Sequence, residues 1–300
     1  MLTIFTIPKP FEEGHIATIQ HNALASWRRL GDNVQMLVFG DDPGVAEAAR
    51  EHGAEHVPRI RCTRWNTPLL SDAFRIAHER AHHETLVYLN CDIVPTASLP
   101  AALADVSLDR FLMVARRWDL DVVEPLDFEA SDWEAALVGR AHAEGSLHGV
   151  TGMDLLAFKR RSGYATLPDF AVGRPCWDNW MVFRAHEIGI PVIDATERVT
   201  LIHQNHGYGH VPQRTGPQWV GPEADRNQVL LGGAYREFTI ADATHRLIGE
   251  GVVPRRARRS PAGWLMYWLA FHPRLSALER RLRGRAAAGM AFPSGDADGA

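Results

Sequence analysis

Residues 2–96 alternate short apolar runs with amphipathic segments, and this alternation constrains the fold more than any other feature. Runs rich in β-formers predict buried strands at 2–7, 34–40 and 86–96. Helices are predicted between them, by apolar spacing or by Pro and Gly at the two ends, at 16–30, 43–53 and 68–83. Strands that alternate with helices of this length predict an α/β fold, Rossmann-like in its first half, with a mostly parallel central sheet flanked by helices.

The composition narrows the class of protein. With 46% hydrophobic and 23% charged residues the chain is typical of globular proteins, and a net charge of −4 gives no support for nucleic-acid binding. Three cysteines, Cys62, Cys91 and Cys176, form a sparse, odd set that favours a reducing compartment. No apolar run approaches the ~18 residues of a spanning helix, and the N-terminus lacks a basic signal-peptide segment. We therefore expect a cytoplasmic protein.

The run "LVYLNCDIVPT" carries a carboxylate, Asp92, at the end of a predicted buried strand. Such a charge is costly unless it is paired, bound to a metal or exposed at the surface. Ligands of parallel sheets bind beyond the carboxyl ends of the strands, and the chain has neither a dinucleotide nor a P-loop glycine motif. A divalent metal that bridges Asp92 to a phosphate is therefore one hypothesis. A surface Asp at a strand end is the alternative.

The second half continues the alternation less regularly. Strands are predicted at 111–119, 153–160, 191–196 and 198–204. Helices are predicted at 131–145, 177–189, 223–233 and 239–251. Ser131 and Glu134 have the spacing of a capping box at the first of these helices. A long loop rich in His, Gly and Pro follows the last strand, and loops of this kind often carry function.

Four stretches in this order resemble the GT-A glycosyltransferases, and the resemblance spans roughly residues 1–215. "NCD" stands at the position of the D-x-D motif, with Asn90 in place of the first Asp. "GVTGMDLLAFKR" is similar to the Gly-led strand of the acceptor half. "RPCWDNWMVFRAHEIG" is similar to the x-E-D helix, with Asp178 at the catalytic-base position. "VIDATERVTLIHQNH" is similar to the closing strands, whose terminal histidine is here His203.

The resemblance implies an enzyme that transfers a sugar from a nucleotide-diphosphate donor to a hydroxyl of a glycan or lipid-linked acceptor, in surface glycan or glycolipid synthesis. It implies Mn²⁺ or Mg²⁺ held by Asp92 and His203, with one anionic ligand lost at Asn90. An inverting reaction is favoured because a carboxylate, Asp178, occupies the base position. It also implies a nucleotide-sugar half at 1–110 and an acceptor half at 111–215.

Further site residues follow from the same resemblance. Those expected to bind the donor are Thr6, Pro8, Asp41, Arg64, Asn66, Asn90 and Asp92. Those expected near the acceptor sugar are Asp154, Trp177, Asn179, Trp180 and His206. Each has a structural alternative: the two tryptophans are as typical of a core as of a sugar platform, and Asp154 could be a buried structural acid.

Asp178 lies near the start of a predicted helix. The positive end of the helix dipole should lower its pKa and present it ionised, as a base that accepts the acceptor's proton. Asp is also a favoured N-cap residue, so a purely structural role stays open.

Two competing functions and one alternative metal site remain at this stage. A nucleotidyltransferase that makes the activated sugar should carry a glycine-rich basic loop after the first strand, and "TIPKPFEEGH" is not such a loop. A non-catalytic glycan- or nucleotide-binding module would have lost its metal at Asn90. A zinc site formed by His203, His206 and His210 is weaker, because Gly207 and Gly209 break the helix that such spacing requires.

The C-terminal region is unusually basic. Residues 254–285 hold nine arginines against one glutamate, a charge of +8 that leaves −12 for the rest. The apolar stretch 262–272 followed by an Arg-rich segment is typical of a helix that lies on an anionic membrane and is too short to span it. A helix docked on the domain is the alternative. We expect a helical extension at 216–253, this amphipathic tail at 254–285 and disorder at 286–300.

Overall fold

A computed structural model describes residues 1–12, 14–207, 220–249, 251–255 and 261–272 of the chain. Its strands are β1 Leu2–Thr6, β2 Val34–Phe39, β3 Glu55–Val57, β4 Thr85–Leu89, β5 Ile93–Pro95, β6 Leu112–Ala115, β7 Trp118–Leu120, β8 Ser146–Leu147, β9 Leu155–Lys159, β10 Val192–Asp194, β11 Leu201–Gln204, β12 His245–Ile248 and β13 Gly251–Pro254. Its α-helices are α1 His15–Arg28, α2 Val45–Glu51, α3 Leu70–Arg80, α4 Ser98–Ala104, α5 Trp133–Glu144, α6 Trp177–Glu187, α7 Pro222–Leu231 and α8 Pro261–Ala270.

The central sheet has the strand order β13-β12-β10-β6-β9-β4-β1-β2-β3. The first half is parallel throughout, with β4, β1, β2 and β3 side by side. β9 runs antiparallel to both β4 and β6, so its amino end lies at the edge where β1, β2 and β4 have their carboxyl ends. The prediction of an α/β fold with a mostly parallel central sheet is confirmed.

A smaller sheet of order β5-β11-β7-β8 stands beyond that edge. The residues predicted as one strand at 111–119 are in fact two strands in different sheets, β6 and β7. In this small sheet His203 pairs with Ile93 on one side and Asp119 on the other. Strand alternation sends Val94, Leu120 and Ile202 to a separate apolar cluster. The small sheet therefore gathers polar side chains near the end of β4.

Two apolar layers cover the faces of the central sheet. One contains Trp27 of α1, whose indole N–H donates to the carbonyl of Ile93 at 2.9 Å. The other packs α3 and α6 on the sheet, with the rings of Phe5 and Phe74 edge-to-face at 4.9 Å. Burial of whole apolar and aromatic side chains on both faces is what fixes the sheet, at about 1.5–3 kcal/mol for each large side chain.

Two local predictions are wrong. Residues 239–251, expected as a helix, form a 3-10 turn at Ile240–Asp242 and then the hairpin of β12 and β13, which extends the central sheet beside β10. The extension at 216–253 is therefore only partly helical. The expected capping box at Ser131 is absent: Asp132 precedes α5, and the carboxylate of Glu134 instead accepts from the N–H of Ala97 at 2.9 Å.

The C-terminal helix α8 packs on the domain through one side. Tyr267 and Phe271 contact Phe238, with ring centroids 5.7 and 6.1 Å away, and Ala270 is fully buried. The opposite side exposes Trp264, Leu265 and Trp268. The docked alternative thus describes one side of this helix, and contact with a membrane through the other side stays a prediction. Residues 273–300, which contain the predicted basic end and disordered terminus, lie outside the described residues. Among the described residues, no helix is long and apolar enough to cross a bilayer.

Candidate active site at the carboxyl edge of the sheet

Three metal-ligand side chains converge where β4 ends. Asp92, His203 and His206 offer ligand atoms that all lie within 4.8 Å of one another. The Oδ2 atom of Asp92 is 3.0 Å from Nε2 of His206 and 4.0 Å from Nε2 of His203. The carbonyl of Asp92 accepts from the N–H of Gln204 at 3.1 Å, which ties the turn after β4 to β11. The sequence placed Asp92 and His203 together, and the structure adds His206, which was expected near the acceptor.

The electrostatics of this cluster suit a cation. Burial alone would raise the pKa of Asp92, but the hydrogen bond with His206 and the charges of His203 and Lys9 hold that pKa well below its usual range. Its Oδ1 atom is buried and has no hydrogen-bond partner among the described residues, an arrangement that is costly unless something positive binds there. Burial lowers the pKa of His203, which favours the neutral imidazole whose lone pair a metal can bind.

A second layer of charged side chains surrounds the cluster. Asp119 lies with Oδ1 3.0 Å from Nδ1 of His203, although not aligned as a hydrogen bond. Its carboxylate also contacts Nδ1 of His148 at 2.6 Å and accepts from Nε of Arg117 at 2.9 Å. Arg117 in turn donates to Asp154. Three carboxylates with one arginine between them leave this region with a negative balance, which favours a bound cation.

Asn90 does not join the metal-ligand cluster. Its side-chain N–H donates to Oδ1 of Asp154 at 2.8 Å, so it helps to hold Asp154 at the amino end of β9. The residue that stands at the first D-x-D position therefore acts on a neighbouring carboxylate in this structure. Asp154 is 8% exposed and lies between Asn90 and Arg117. This burial agrees with the alternative role of a buried structural acid.

Asp178 is the second residue of α6, and Cys176 is the N-cap. The alternative prediction that Asp178 is itself the N-cap is therefore wrong. Its Oδ1 accepts from the N–H of Asn179 at 2.9 Å. The expected lowering of its pKa by the helix is wrong: burial, followed by the negative charge of Asp154, raises the pKa of Asp178 to about 6. A carboxylate with a raised pKa beside other acids is typical of catalytic sites.

This geometry was compared with known proteins. No family model matches the chain, and no curated protein matches it. Among solved structures, S. aureus TarS in complex with UDP-GlcNAc matches with a TM-score of 0.50 and 12% identity, covering 83% of this chain and 68% of that one. The chain has a GT-A fold. The fold implied by the four sequence stretches is thereby confirmed.

Two further solved structures match the GT-A fold of the chain more loosely. M. tuberculosis glucosyl-3-phosphoglycerate synthase matches with a TM-score of 0.45 and 14% identity, over 89% of this chain and 92% of that one. The mannosyltransferase PcManGT from Pyrobaculum calidifontis, in complex with GDP-Man and Mn²⁺, matches with a TM-score of 0.42 and 14% identity, over 69% and 58%.

The side chains around Asp178 in this GT-A fold are largely structural. Trp177 and Trp180 are 7% and 9% exposed and belong to the core, where they contact Tyr88 and Phe170. The expectation of a sugar platform is therefore wrong for these two rings. Asn179 donates its side-chain N–H to the carbonyl of Phe238 at 2.8 Å, so that this donor is already used within the protein.

The expected donor-binding residues divide into two groups. Thr6 and Pro8 are buried at the end of β1, and the hydroxyl of Thr6 has no hydrogen-bond partner. Asp41, Arg64 and Asn66 are exposed on the turns that follow β2 and β3, with Arg64 stacked over Trp65 at 4.0 Å. In the described part of the chain none of these three makes a hydrogen bond with the Asp92 cluster, so their part in donor binding stays a prediction. His210, the third member of the alternative zinc site, lies outside the described residues.

Sequence reasoning missed Lys9, Asp119 and His148. Burial lowers the pKa of Lys9, while the negative charge of Asp92 acts to raise it, so the two side chains interact electrostatically. Lys9 follows β1 directly, so its position after a first strand was a signal that could have been used. Asp119 and His148 had no such signal, because the strand containing Asp119 was read as part of the central sheet.

Proposed function

We propose that the chain is a metal-dependent glycosyltransferase that moves a sugar from a nucleotide-diphosphate donor to a hydroxyl acceptor. The observation that carries this proposal is the cluster of Asp92, His203 and His206, with a buried carboxylate oxygen lacking a partner, at the ligand-binding edge of a GT-A fold. S. aureus TarS, which shares this fold, was solved in complex with UDP-GlcNAc.

The donor atoms fit a divalent transition ion. One carboxylate and two imidazoles suit Mn²⁺ better than Mg²⁺, which prefers oxygen ligands throughout. A divalent cation held there would supply charge neutralisation for the leaving nucleotide diphosphate. Asp119, itself in contact with His148, lies 3.0 Å from Nδ1 of His203, where an outer carboxylate could orient a metal-binding imidazole once a metal is bound.

The chain's own residues supply the rest of the chemistry. Lys9, whose charge interacts with that of Asp92, is proposed to bind a donor phosphate. Asp178 is proposed as the base that takes the proton from the acceptor hydroxyl. The hydroxyl oxygen forms a bond to the anomeric carbon as the bond from that carbon to the nucleotide diphosphate breaks, and the diphosphate leaves. A carboxylate with a pKa near 6 is largely ionised at pH 7 and still basic enough to accept that proton. A direct displacement by this route inverts the configuration at the anomeric carbon of the sugar.

The test is a thermal-shift screen of UDP- and GDP-sugars with and without Mn²⁺, followed by assays of donor hydrolysis and transfer. A ligand that binds only the folded state raises the melting temperature, so a nucleotide effect that requires Mn²⁺ is expected for the wild type. Asp92→Asn keeps the side-chain shape and should lose the Mn²⁺-dependent part. An equal shift in the variant, or a shift that survives EDTA, would contradict the assignment of Asp92. Formation of nucleotide-sugar from sugar phosphate would instead indicate a nucleotidyltransferase.

For the acceptor, we propose a lipid-linked glycan at an anionic membrane surface. The support is the outward side of α8, where Trp264, Leu265 and Trp268 are 50%, 56% and 46% exposed, together with the nine arginines in residues 254–285. Aromatic side chains beside basic residues favour the interface of a bilayer, and each Arg near such a surface contributes about 1 kcal/mol.

Vesicle co-sedimentation tests the membrane contact. Wild-type protein should bind vesicles with phosphatidylserine more strongly than neutral vesicles, and added salt should weaken this binding. Leu265→Ser combined with Trp268→Ser should reduce binding without lowering the melting temperature, whereas Val229→Ser changes an exposed apolar residue on another helix and serves as the control. Equal binding of the double variant and the wild type would contradict the proposal.

A further inference from the structure

A second cluster of metal-ligand side chains lies between helices α1 and α2. Nδ1 of His21 is 2.9 Å from Nε2 of His52 and 3.9 Å from Oε2 of Glu51. The three ligand atoms all lie within 4.8 Å of one another. His21 belongs to the middle of α1, whereas Glu51 and His52 end α2, so packing of the two helices beside β2 brings them together.

The backbone fixes the end of α2 that carries two of these residues. After His52 the chain turns through Gly53, whose φ is +65°. The N–H of Gly53 donates to the carbonyl of Arg50 at 3.2 Å, and that of Ala54 to Ala49 at 2.8 Å. This pair of bonds is a Schellman motif, which holds the residues at a helix end in one geometry. The positions of Glu51 and His52 are therefore set by the turn, before any ligand binds.

The electrostatics leave the two imidazoles available to a cation. Burial, the charge of His21 and, more weakly, the charge of Arg29 lower the pKa of His52, against the opposing effect of Glu51. The guanidinium of Arg29 is itself paired with Glu129 at 3.0 Å. His21 also packs its ring edge-to-face on Phe11 at 5.1 Å, which limits its rotation. Two imidazole nitrogens 2.9 Å apart, with a carboxylate oxygen 3.9 Å from one of them, need only small shifts to ligate one ion.

We propose that His21, Glu51 and His52 bind a divalent transition-metal ion of the Zn²⁺, Co²⁺ or Ni²⁺ class. Two imidazole nitrogens and one carboxylate oxygen are a donor set that such ions take with four-coordinate geometry, and Ca²⁺ and Mg²⁺ disfavour it. The ion links α1 to the end of α2. Three protein ligands leave a fourth position for water or a small ligand.

The surroundings agree with an open fourth position. An open cleft of about 320 Å³ adjoins the cluster, and its lining includes Thr18, His21, Asn22, Glu51 and Pro125. The side chain of Glu51 is 65% exposed and that of His21 is 36% exposed, so an ion can enter from solvent. This site is separate from the Asp92 cluster: its ligands come from α1 and α2, and none of them belongs to the small sheet.

The experiment measures bound metal on the full chain after removal of metal by a chelator. Equilibrium dialysis against Zn²⁺, with elemental analysis, is carried out on the wild type, on Asp92→Asn, and on His21→Gln combined with His52→Gln. Asp92→Asn is expected to keep the new site, whereas the double variant should bind one equivalent less Zn²⁺ than the wild type. His82→Gln removes an exposed histidine outside both clusters and should bind as the wild type does.

Glu51→Gln keeps the result interpretable if the double variant fails to fold. It changes only an exposed carboxylate, so the fold should survive, and Zn²⁺ affinity at this site should fall at least tenfold. Co²⁺ titration gives a second readout, since its visible absorption reports the ligands directly. The proposal would be overturned if wild type and Glu51→Gln bound Zn²⁺ with equal affinity, or if Asp92→Asn alone removed every bound equivalent.

Discussion

The two His–carboxylate clusters of this protein use the same kinds of ligand but differ in what surrounds them. Asp92 is largely buried, at 15% side-chain exposure, and Asp119 and His148 lie behind His203. The cluster of His21, Glu51 and His52 faces solvent, and its carboxylate is 65% exposed. Only the first stands where the parallel strands end and where a second acid, Asp178, lies close enough to Asp154 for charge to raise its pKa.

This difference distinguishes a metal site that supports catalysis from one that only binds a metal. A catalytic metal site needs ligands held in one geometry by outer hydrogen bonds and a nearby acid or base with a shifted pKa. The Asp92 cluster has an acid with a raised pKa in Asp178, and an outer carboxylate, Asp119, lies 3.0 Å from the ring of His203. The His21 cluster has a fixed helix end and an open position, which suffice for binding. Two measurements distinguish these roles.

The largest expected effect concerns Asp178. Asp178→Asn should lower the transfer rate by the ~10²–10⁴-fold that general-base catalysis supplies, with little change in donor affinity. The wild-type rate should rise with pH through about 6, as Asp178 ionises, and the variant should lack this step. Glu51→Gln should change transfer far less. A kinetic pH profile of the three proteins checks this, and wild-type turnover in Asp178→Asn would remove Asp178 from the mechanism.

A melting experiment separates this result from misfolding. Because the pKa of Asp178 is raised in the folded state, its ionised form destabilises the fold above pH 6, and this cost disappears as pH falls below about 4. Asp178→Asn should therefore raise stability at pH 7 by an amount of order 1 kcal/mol, with partial exposure of the side chain allowed for. Asp225→Asn, in the first turn of α7, is the matched control and should show no such gain.

A smaller effect is expected at Asp119, which touches no substrate in the proposed mechanism. Asp119→Asn should weaken Mn²⁺ affinity in the nucleotide complex by about 10–100-fold, since outer carboxylates orient metal-binding imidazoles. Zn²⁺ binding at the His21 cluster should stay unchanged, which sharpens the contrast between the sites. Titration of Mn²⁺ in the thermal-shift assay checks this against Asp109→Asn, an exposed control. Unchanged Mn²⁺ affinity in Asp119→Asn would show that His203 does not depend on Asp119.

Local patterns predicted the first half of the fold well. The strands at β1, β2 and β4 and the helices between them follow from apolar spacing and from Pro and Gly at the boundaries. The same reasoning failed at 239–251, where an apolar spacing compatible with a helix belongs to a hairpin. The free edge of β10 explains the outcome, since its backbone pairs with β12 and the N–H of Thr244 donates to the carbonyl of Val192 at 3.0 Å. Sheet pairing outweighs weak local propensity.

The sequence by itself determined which residues form the buried strands β1, β2 and β4, because apolar spacing is a local property, and the resemblance to GT-A enzymes implied a site with Asp92 and His203. Only the tertiary structure decided which side chains meet across the chain. It brought Asp119 to His203 by pairing β7 with β11 in the small sheet. It also placed His206 against Asp92 and His21 beside His52. These contacts depend on how helices and sheets pack, and packing energy is shared among many residues far apart in sequence, so no short stretch encodes it.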